Sequence, residues 1–208
     1  MTLPTAPSPA ILTTTHVLYL HGFRSSPQST KARQVATVMA TQFPHITWWC
    51  PQLPPSPKAA AALIAKGTAN WPADRMAVIG SSLGGFYATW LAAQRGCKAA
   101  LLNPAIDPAR DLAKYIGEQS AWHDPGERFY FAPEFVDELR SLEVGPLPHP
   151  EHAWALIAKG DEVLDWREMT ARYPGSQQVI MEGGDHAISD FDHYLPQLLE
   201  FLDLQPAP

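Results

Sequence analysis

Two adjacent serines, Ser81 and Ser82, stand between glycines in VIGSSLGGFYATW, residues 78–90. An apolar run enters this stretch and a run with helical spacing leaves it, so the junction reads as strand, tight turn, helix. So sharp a turn forces its central residue into strained backbone space. The residues two before and two after it must then be small. Centred on Ser82 they are Gly80 and Gly84; centred on Ser81 they would be Ile79 and Leu83, which are too large. Ser82 is therefore the serine of a G-x-S-x-G nucleophile elbow. It would sit at the amino end of a helix, where N–H groups lack partners and the dipole favours negative charge. The Leu83 amide is placed to hold the oxyanion formed when Ser82 attacks a carbonyl. Glycine-rich turns also serve structure or phosphate binding, but no Gly-Lys-Ser/Thr follows, so the Walker pattern is absent.

A serine hydroxyl is a weak nucleophile until a base takes its proton. Of eight histidines, His186 in EGGDHAISDF is the one that lies just past a strand late in the chain, where Gly183 and Gly184 allow a sharp turn. The third partner is an acid that fixes the imidazole tautomer and stabilises the imidazolium. Asp161, in AKGDEVLD, directly follows an apolar run. Asp165 is the rival, but it reads as the cap of a helix starting at Trp166. Asp185 adjoins His186 and should point away from its working edge. A second oxyanion donor should come from the loop after the first strand, YLHGFRSSP, where the Phe23 amide follows His21-Gly22. The order Ser82, Asp161, His186 is that of α/β-hydrolases, not of chymotrypsin- or subtilisin-like proteases.

These residues need a scaffold that delivers them to one edge. Apolar runs at residues 17–20, 46–50, 76–80, 99–103, 153–160 and 177–182 read as six strands. Helical spacing lies between them, at 29–43 with Ser29 as cap, 58–66, 83–95 with Gly96 as stop, 165–173 and from 189 onward. Pro196 should bend or break the last helix. Alternating strands and helices imply a mostly parallel sheet covered on both faces, with ligands beyond the carboxyl ends of the strands. The alternation lapses over 104–150, a segment with two short helices (108–116 and 133–142) that reads as an insertion covering the site. Its aromatics Trp122, Phe129, Tyr130 and Phe131 could wall an acyl pocket or simply anchor the insertion.

Composition narrows the function classes. The 208 residues suit one domain, able to bury roughly 70% of its extended surface. We place that domain at 16–208 after a flexible Pro/Thr/Ser-rich lead, 1–15, which lacks the pattern of a secretion signal. Net charge is −6, from 15 Lys+Arg against 21 Asp+Glu, with no basic cluster, which argues against a nucleic-acid partner. No apolar run nears the ~20 residues of a membrane span. Cys50 and Cys97 edge apolar runs and read as buried free thiols, which suits a cytoplasmic location. Metal catalysis has weak candidates. HPEH (149–152) lacks H-E-x-x-H spacing, and Asp185, His186, Asp190, Asp192 and His193 mix a loop with a solvated helix. Neither a metal nor another cofactor is expected.

YLHGF-x-SSP-x-S-x-KA, GSSLGGFYATWLA, LLNPA, GDEVLD and GG-x-HA together resemble the YqiA-type esterases, a small bacterial branch of the α/β-hydrolases, over about residues 17–202. The resemblance implies a compact α/β-hydrolase fold: a six-stranded, mostly parallel sheet, helices on both faces and a short helical lid insertion. It implies carboxylic-ester hydrolysis, with nucleophile Ser82, base His186 and acid Asp161, and with acyl-CoA thioesters as alternative substrates. A CoA substrate calls for a basic patch, for which Arg24, Lys31, Arg33, Arg110 and Lys114 are available. The insertion, including SAWHDPGERFYFAPEF, departs from the family pattern, and because it should line the acyl pocket the resemblance does not carry over a substrate preference. The contrasting reading is a non-catalytic binding protein on the same fold, which usually loses a member of the triad; here all three positions are filled.

Overall fold

Apolar runs that do not alternate become strands buried on both faces. In the computed structural model, which describes residues 13–122, 124, 126 and 128–205, the chain forms β1 (His16–Leu20), α1 (Thr30–Gln42), β2 (Thr47–Trp49), α2 (Pro57–Thr68), β3 (Met76–Ser81), α3 (Leu83–Arg95) and β4 (Lys98–Leu102). It continues with α4 (Pro108–Leu112), β5 (Gly117–Ser120), β6 (Arg128–Phe131), α5 (Glu134–Ser141), β7 (Ala153–Ala158), α6 (Trp166–Arg172), β8 (Gln177–Met181) and α7 (Phe191–Phe201). Six strands make one sheet in the order β2-β1-β3-β4-β7-β8, every pair parallel. They are the six runs expected from the sequence, within two residues at each end. Most of the expected lead, 1–15, lies outside the described residues.

Side chains of successive strand residues go to opposite faces. Leu18, Leu20, Val78, Leu101 and Ile157 pack beneath Ile64 of α2 and Leu91 of α3. Val17, Tyr19, Ile79, Leu102 and Leu156 pack beneath Val35 and Met39 of α1 and Phe191 and Leu198 of α7. Each such aliphatic side chain contributes about 1.5–3 kcal/mol on burial. Ser56 caps α2 by accepting from the Ala59 N–H, and Gly96 ends α3 at φ 67°. Ser29 occupies the N-cap of α1 without making a side-chain capping bond. Pro196 does not break α7, which runs through it with Phe191, Leu195 and Leu198 buried; core packing of the apolar stripe outweighs one missing donor. Cys97 is buried and Cys50 half-buried; both are free, and burial pushes both thiols up to about 12. Among the described residues no helix is long and apolar enough to cross a membrane.

Residues 104–150 hold more than the two expected helices. Between α4 and α5, β5 and β6 pair as an antiparallel hairpin with Gly117 opposite Phe131 and Glu118 opposite Tyr130. The polar strand GEQS carries no apolar period, which is why pattern reading passes over it. Two of the ties that hold the segment reach α2 and the loop after β1. Glu138 of α5 accepts from the Ser56 hydroxyl (2.7 Å) and the Lys58 N–H (3.0 Å) at the start of α2. Arg24, just after β1, donates through Nε to the Ser120 carbonyl (2.6 Å), lies 4.1 Å over the Trp122 ring and accepts the Trp122 N–H at its own carbonyl.

Candidate active site

β3 ends on Ser81 and α3 begins on Leu83, so the whole reversal falls on Ser82, at φ 55°, ψ −120°. A left-handed serine costs about 1–3 kcal/mol. It is held by its backbone: the Ser82 N–H donates to the Leu102 carbonyl, and its own carbonyl accepts from Gly85 and Ala105. The flanking glycines are required by space. A Cβ on Gly80 would fall on the Gly84 carbonyl, and a Cβ on Gly84 on the Leu20 carbonyl.

His186 follows β8 after Gly184, whose φ of 81° turns the chain back over the sheet edge. Its Nδ1 is 2.7 Å from Asp161 Oδ2, and its Nε2 is 3.0 Å from Ser82 Oγ. The Asp161 side chain is 0% exposed, and its Oδ1 accepts the Val163 and Leu164 N–H groups at 2.8 Å each. An ionised carboxylate only accepts. His186 Nδ1–H therefore donates to Asp161, Nε2 keeps its lone pair, and the Ser82 hydroxyl donates to it. Asp165 instead caps α6 by accepting from the Arg167 N–H (2.9 Å). Asp185 turns away from the ring and accepts from the backbone and hydroxyl of Ser189.

Leu83 is the first residue of α3, so its N–H has no carbonyl one turn back. Phe23, on the loop after β1, lines the same cleft as Leu83, and a Cβ on its neighbour Gly22 would come within 3.2 Å of Ser82 Cβ. His21 anchors that loop. Its Nε2 accepts the Leu53 N–H (3.0 Å) and its Nδ1–H donates to the Gly22 carbonyl (3.0 Å).

Two clefts meet at Ser82 and His186. The larger, about 560 Å³, is lined by Ser25, Ser29, Lys31 and Ser189 together with Phe23 and Ile188. The smaller, about 170 Å³, is lined by Phe23, Leu83, Leu112, Tyr115, Val163 and Leu164. Trp122 borders both and is 70% exposed. The other three aromatics considered for the acyl wall diverge, because a strand alternates its faces. Phe129 lines a neighbouring cavity of about 350 Å³ with Phe23 and Leu83. Phe131 is buried edge-on against Phe23 and Phe135, and Tyr130 points outward at 58% exposure. The four aromatics therefore form no single wall.

Of the cations available for a phosphate-binding patch, Arg24 and Lys114 line the smaller cleft and Lys31 the larger. Arg110 forms a two-pronged pair with Glu168 and a further bond to Asp111. Lys31 donates to the Ala187 carbonyl, beside His186; burial pulls its ammonium down to about 8, against the opposing pull of Asp185 and Asp161. One residue that sequence reading left without a role is Asn103 of LLNPA. Its signal was a lone amide at the end of a buried strand, where the backbone takes φ 41°.

A parallel six-stranded sheet, a strained serine between strand and helix, and a histidine loop after the last strand define the α/β-hydrolase class, and solved structures of that class superpose on it. Alpha/beta hydrolase domain-containing protein 10 from mouse is 16% identical with a TM-score of 0.69, covering 91% of each chain. One of the metagenome-derived lipolytic enzymes LipS and LipT is 19% identical with a TM-score of 0.65, covering 92% of this chain and 94% of that one. A Pyrococcus furiosus esterase is 16% identical with a TM-score of 0.60, covering 91% and 82%. Within the class, residues 16–203 match the model of the Uncharacterised protein family (UPF0227), and the chain belongs to that family, the YqiA family.

Proposed function

We propose that this protein is a serine hydrolase of carboxylic esters that works through an acyl-enzyme on Ser82. The observation that carries this reading is the hydrogen-bonded series Asp161–His186–Ser82, with the serine at a strained elbow. Ser82 Oγ attacks the ester carbonyl carbon as its proton passes to His186 Nε2. Asp161 faces the imidazolium so formed, and the amides of Phe23 and Leu83 hold the oxyanion. The bond to the alcohol oxygen then breaks as His186 returns the proton to that oxygen. Water repeats the sequence: His186 takes its proton, the hydroxide oxygen adds to the acyl carbon, and Ser82 leaves reprotonated with release of the acid. Residues 104–150 act as a lid-like insertion, placing Leu112, Tyr115 and Trp122 against the clefts. The ester and lipolytic activities in the names of the fold's relatives support the reaction class.

CoA thioesters are the second reading for the same machinery, because Arg24 and Lys114 line the smaller cleft beside Ser82, whereas Arg110 is paired with Glu168. The test is a panel of activated esters of graded acyl length, each with its matched thioester. Turnover by the wild type and its loss in Ser82→Ala are expected. Inertness toward the whole panel would favour the non-catalytic reading.

A further inference from the structure

Asn103 closes β4 in the left-handed region at φ 41° and is 0% exposed. Asparagine tolerates that backbone better than most residues, but tolerance does not explain its side chain. A buried amide must be bonded or it destabilises the fold. This one is bonded on both ends. Oδ1 accepts the Ala158 N–H at 2.8 Å, and Nδ2 donates to the carbonyls of Asp185 at 3.0 Å and His186 at 3.2 Å. The orientation follows from the partners, since a flipped amide would set its oxygen against two carbonyls.

The three partners are the places from which the site is hung. Ala158 is the last residue of β7, and its carbonyl accepts the N–H of Asp161. Asp185 and His186 are the histidine loop. On its own strand, the neighbouring Leu102 carbonyl accepts the Ser82 N–H, and the Asn103 N–H donates to Leu156 of β7. The side chain thus ties the segments that carry acid and base, while the main chain next to it holds the segment that carries the nucleophile. Other ties on the loop include the Gly160 N–H on the Gly183 carbonyl, Glu162 on the His186 N–H (3.0 Å), Lys31 on the Ala187 carbonyl and the His186 ring on Asp161. Asn103 is a fully buried side chain that holds the main chain of residues 185 and 186.

Resting on the serine-hydrolase reading, we propose that Asn103 is a positioning residue that holds the backbone of His186 in register with Asp161 and Ser82. Its amide bonds only main-chain atoms of the site. Asn103→Asp keeps the shape and replaces two donors by an oxygen facing two carbonyls; Asn103→Ala removes the tie altogether.

Three readouts test this. The proton of the His186 Nδ1–H to Asp161 bond, followed as a far-downfield NMR resonance, is expected in the wild type and lost or shifted in folded Asn103→Asp. The second-order rate of fluorophosphonate labelling at Ser82 is expected to fall about 10- to 100-fold, the scale of a small misplacement of reacting groups. With ester substrates the loss should fall on kcat and leave KM within about twofold. A folded variant with the wild-type resonance and labelling rate overturns the proposal and leaves the hydrolase reading standing. A wild type that the probe never labels sinks the hydrolase reading, while the resonance still decides whether Asn103 holds the imidazole. The wild type also serves if neither variant folds: the Asn103 Nδ2 protons should resist exchange as long as the His186 Nδ1 proton does. Free exchange of the Asn103 protons beneath an intact His186 resonance overturns it.

Discussion

Asp161 and His186 meet at 2.7 Å across a boundary: the carboxylate is fully buried, while the imidazole keeps 22% of its surface on the cleft. Both oxygens of Asp161 are spoken for, one by two backbone N–H groups and the other by the ring. Asp161→Asn would offer the ring a donor where it needs an acceptor and favour the wrong tautomer. We expect kcat to drop by about 10⁴-fold, the scale seen when a triad acid becomes an amide. Asp165→Ala should leave kcat/KM unchanged and cost about 1 kcal/mol of stability through the lost α6 cap. Steady-state kinetics and denaturant titrations of the two variants separate the roles; the reverse pattern would make Asp165 the acid.

At the elbow, Gly84→Ala places a methyl group on the Leu20 carbonyl. Strand and helix must separate to accept it. A loss of about 2 kcal/mol or more is expected, together with loss of probe reactivity. Calorimetry checks the first and labelling the second. A variant of wild-type Tm would mean that the turn has slack not evident in its packing.

How much of this was legible in the sequence depends on whether the signal was local. The six strands announced themselves as apolar runs, and Gly80 and Gly84 singled out Ser82 because steric demand acts within two residues. Asp161 and His186 followed from chain order at strand ends. The β5–β6 hairpin was not legible: GEQS has no apolar period, and its partner strand is only four residues long. Missing it let Phe129, Tyr130 and Phe131 read as neighbours on one wall, when alternation sends Tyr130 the other way. Asn103 was invisible for another reason, since its partners lie 55, 82 and 83 residues away.

Those aromatics give a third prediction. Phe131→Ala empties a buried site against Phe23 and should cost about 3–5 kcal/mol. Tyr130→Ala, at an exposed position, should stay within about 0.5 kcal/mol. Trp122→Ala should preserve stability and change KM in a manner that depends on acyl length, because Trp122 borders both clefts. Equal stability losses at 130 and 131 would contradict the alternation.

Lys31 gives a pH prediction. Its ammonium sits at about 8 in the fold, pulled down by burial from an ordinary value of 10.5. Between these values the unfolded chain binds a proton that the folded chain does not, so this group makes stability rise with pH across the window. The stability difference between wild type and Lys31→Met should therefore grow more favourable to wild type from about pH 7 to about pH 10.5. Urea titrations at the two ends test it. A difference that stays flat or falls would place the Lys31 ammonium in solvent.

The most direct measurement is intact-mass and peptide mapping after treatment with a fluorophosphonate. One adduct per chain, mapped to Ser82, absent from Ser82→Ala and slowed by orders of magnitude in His186→Gln, is the expected result. An adduct on another residue, or equal labelling of wild type and Ser82→Ala, would show that the hydroxyl at the elbow is not the nucleophile.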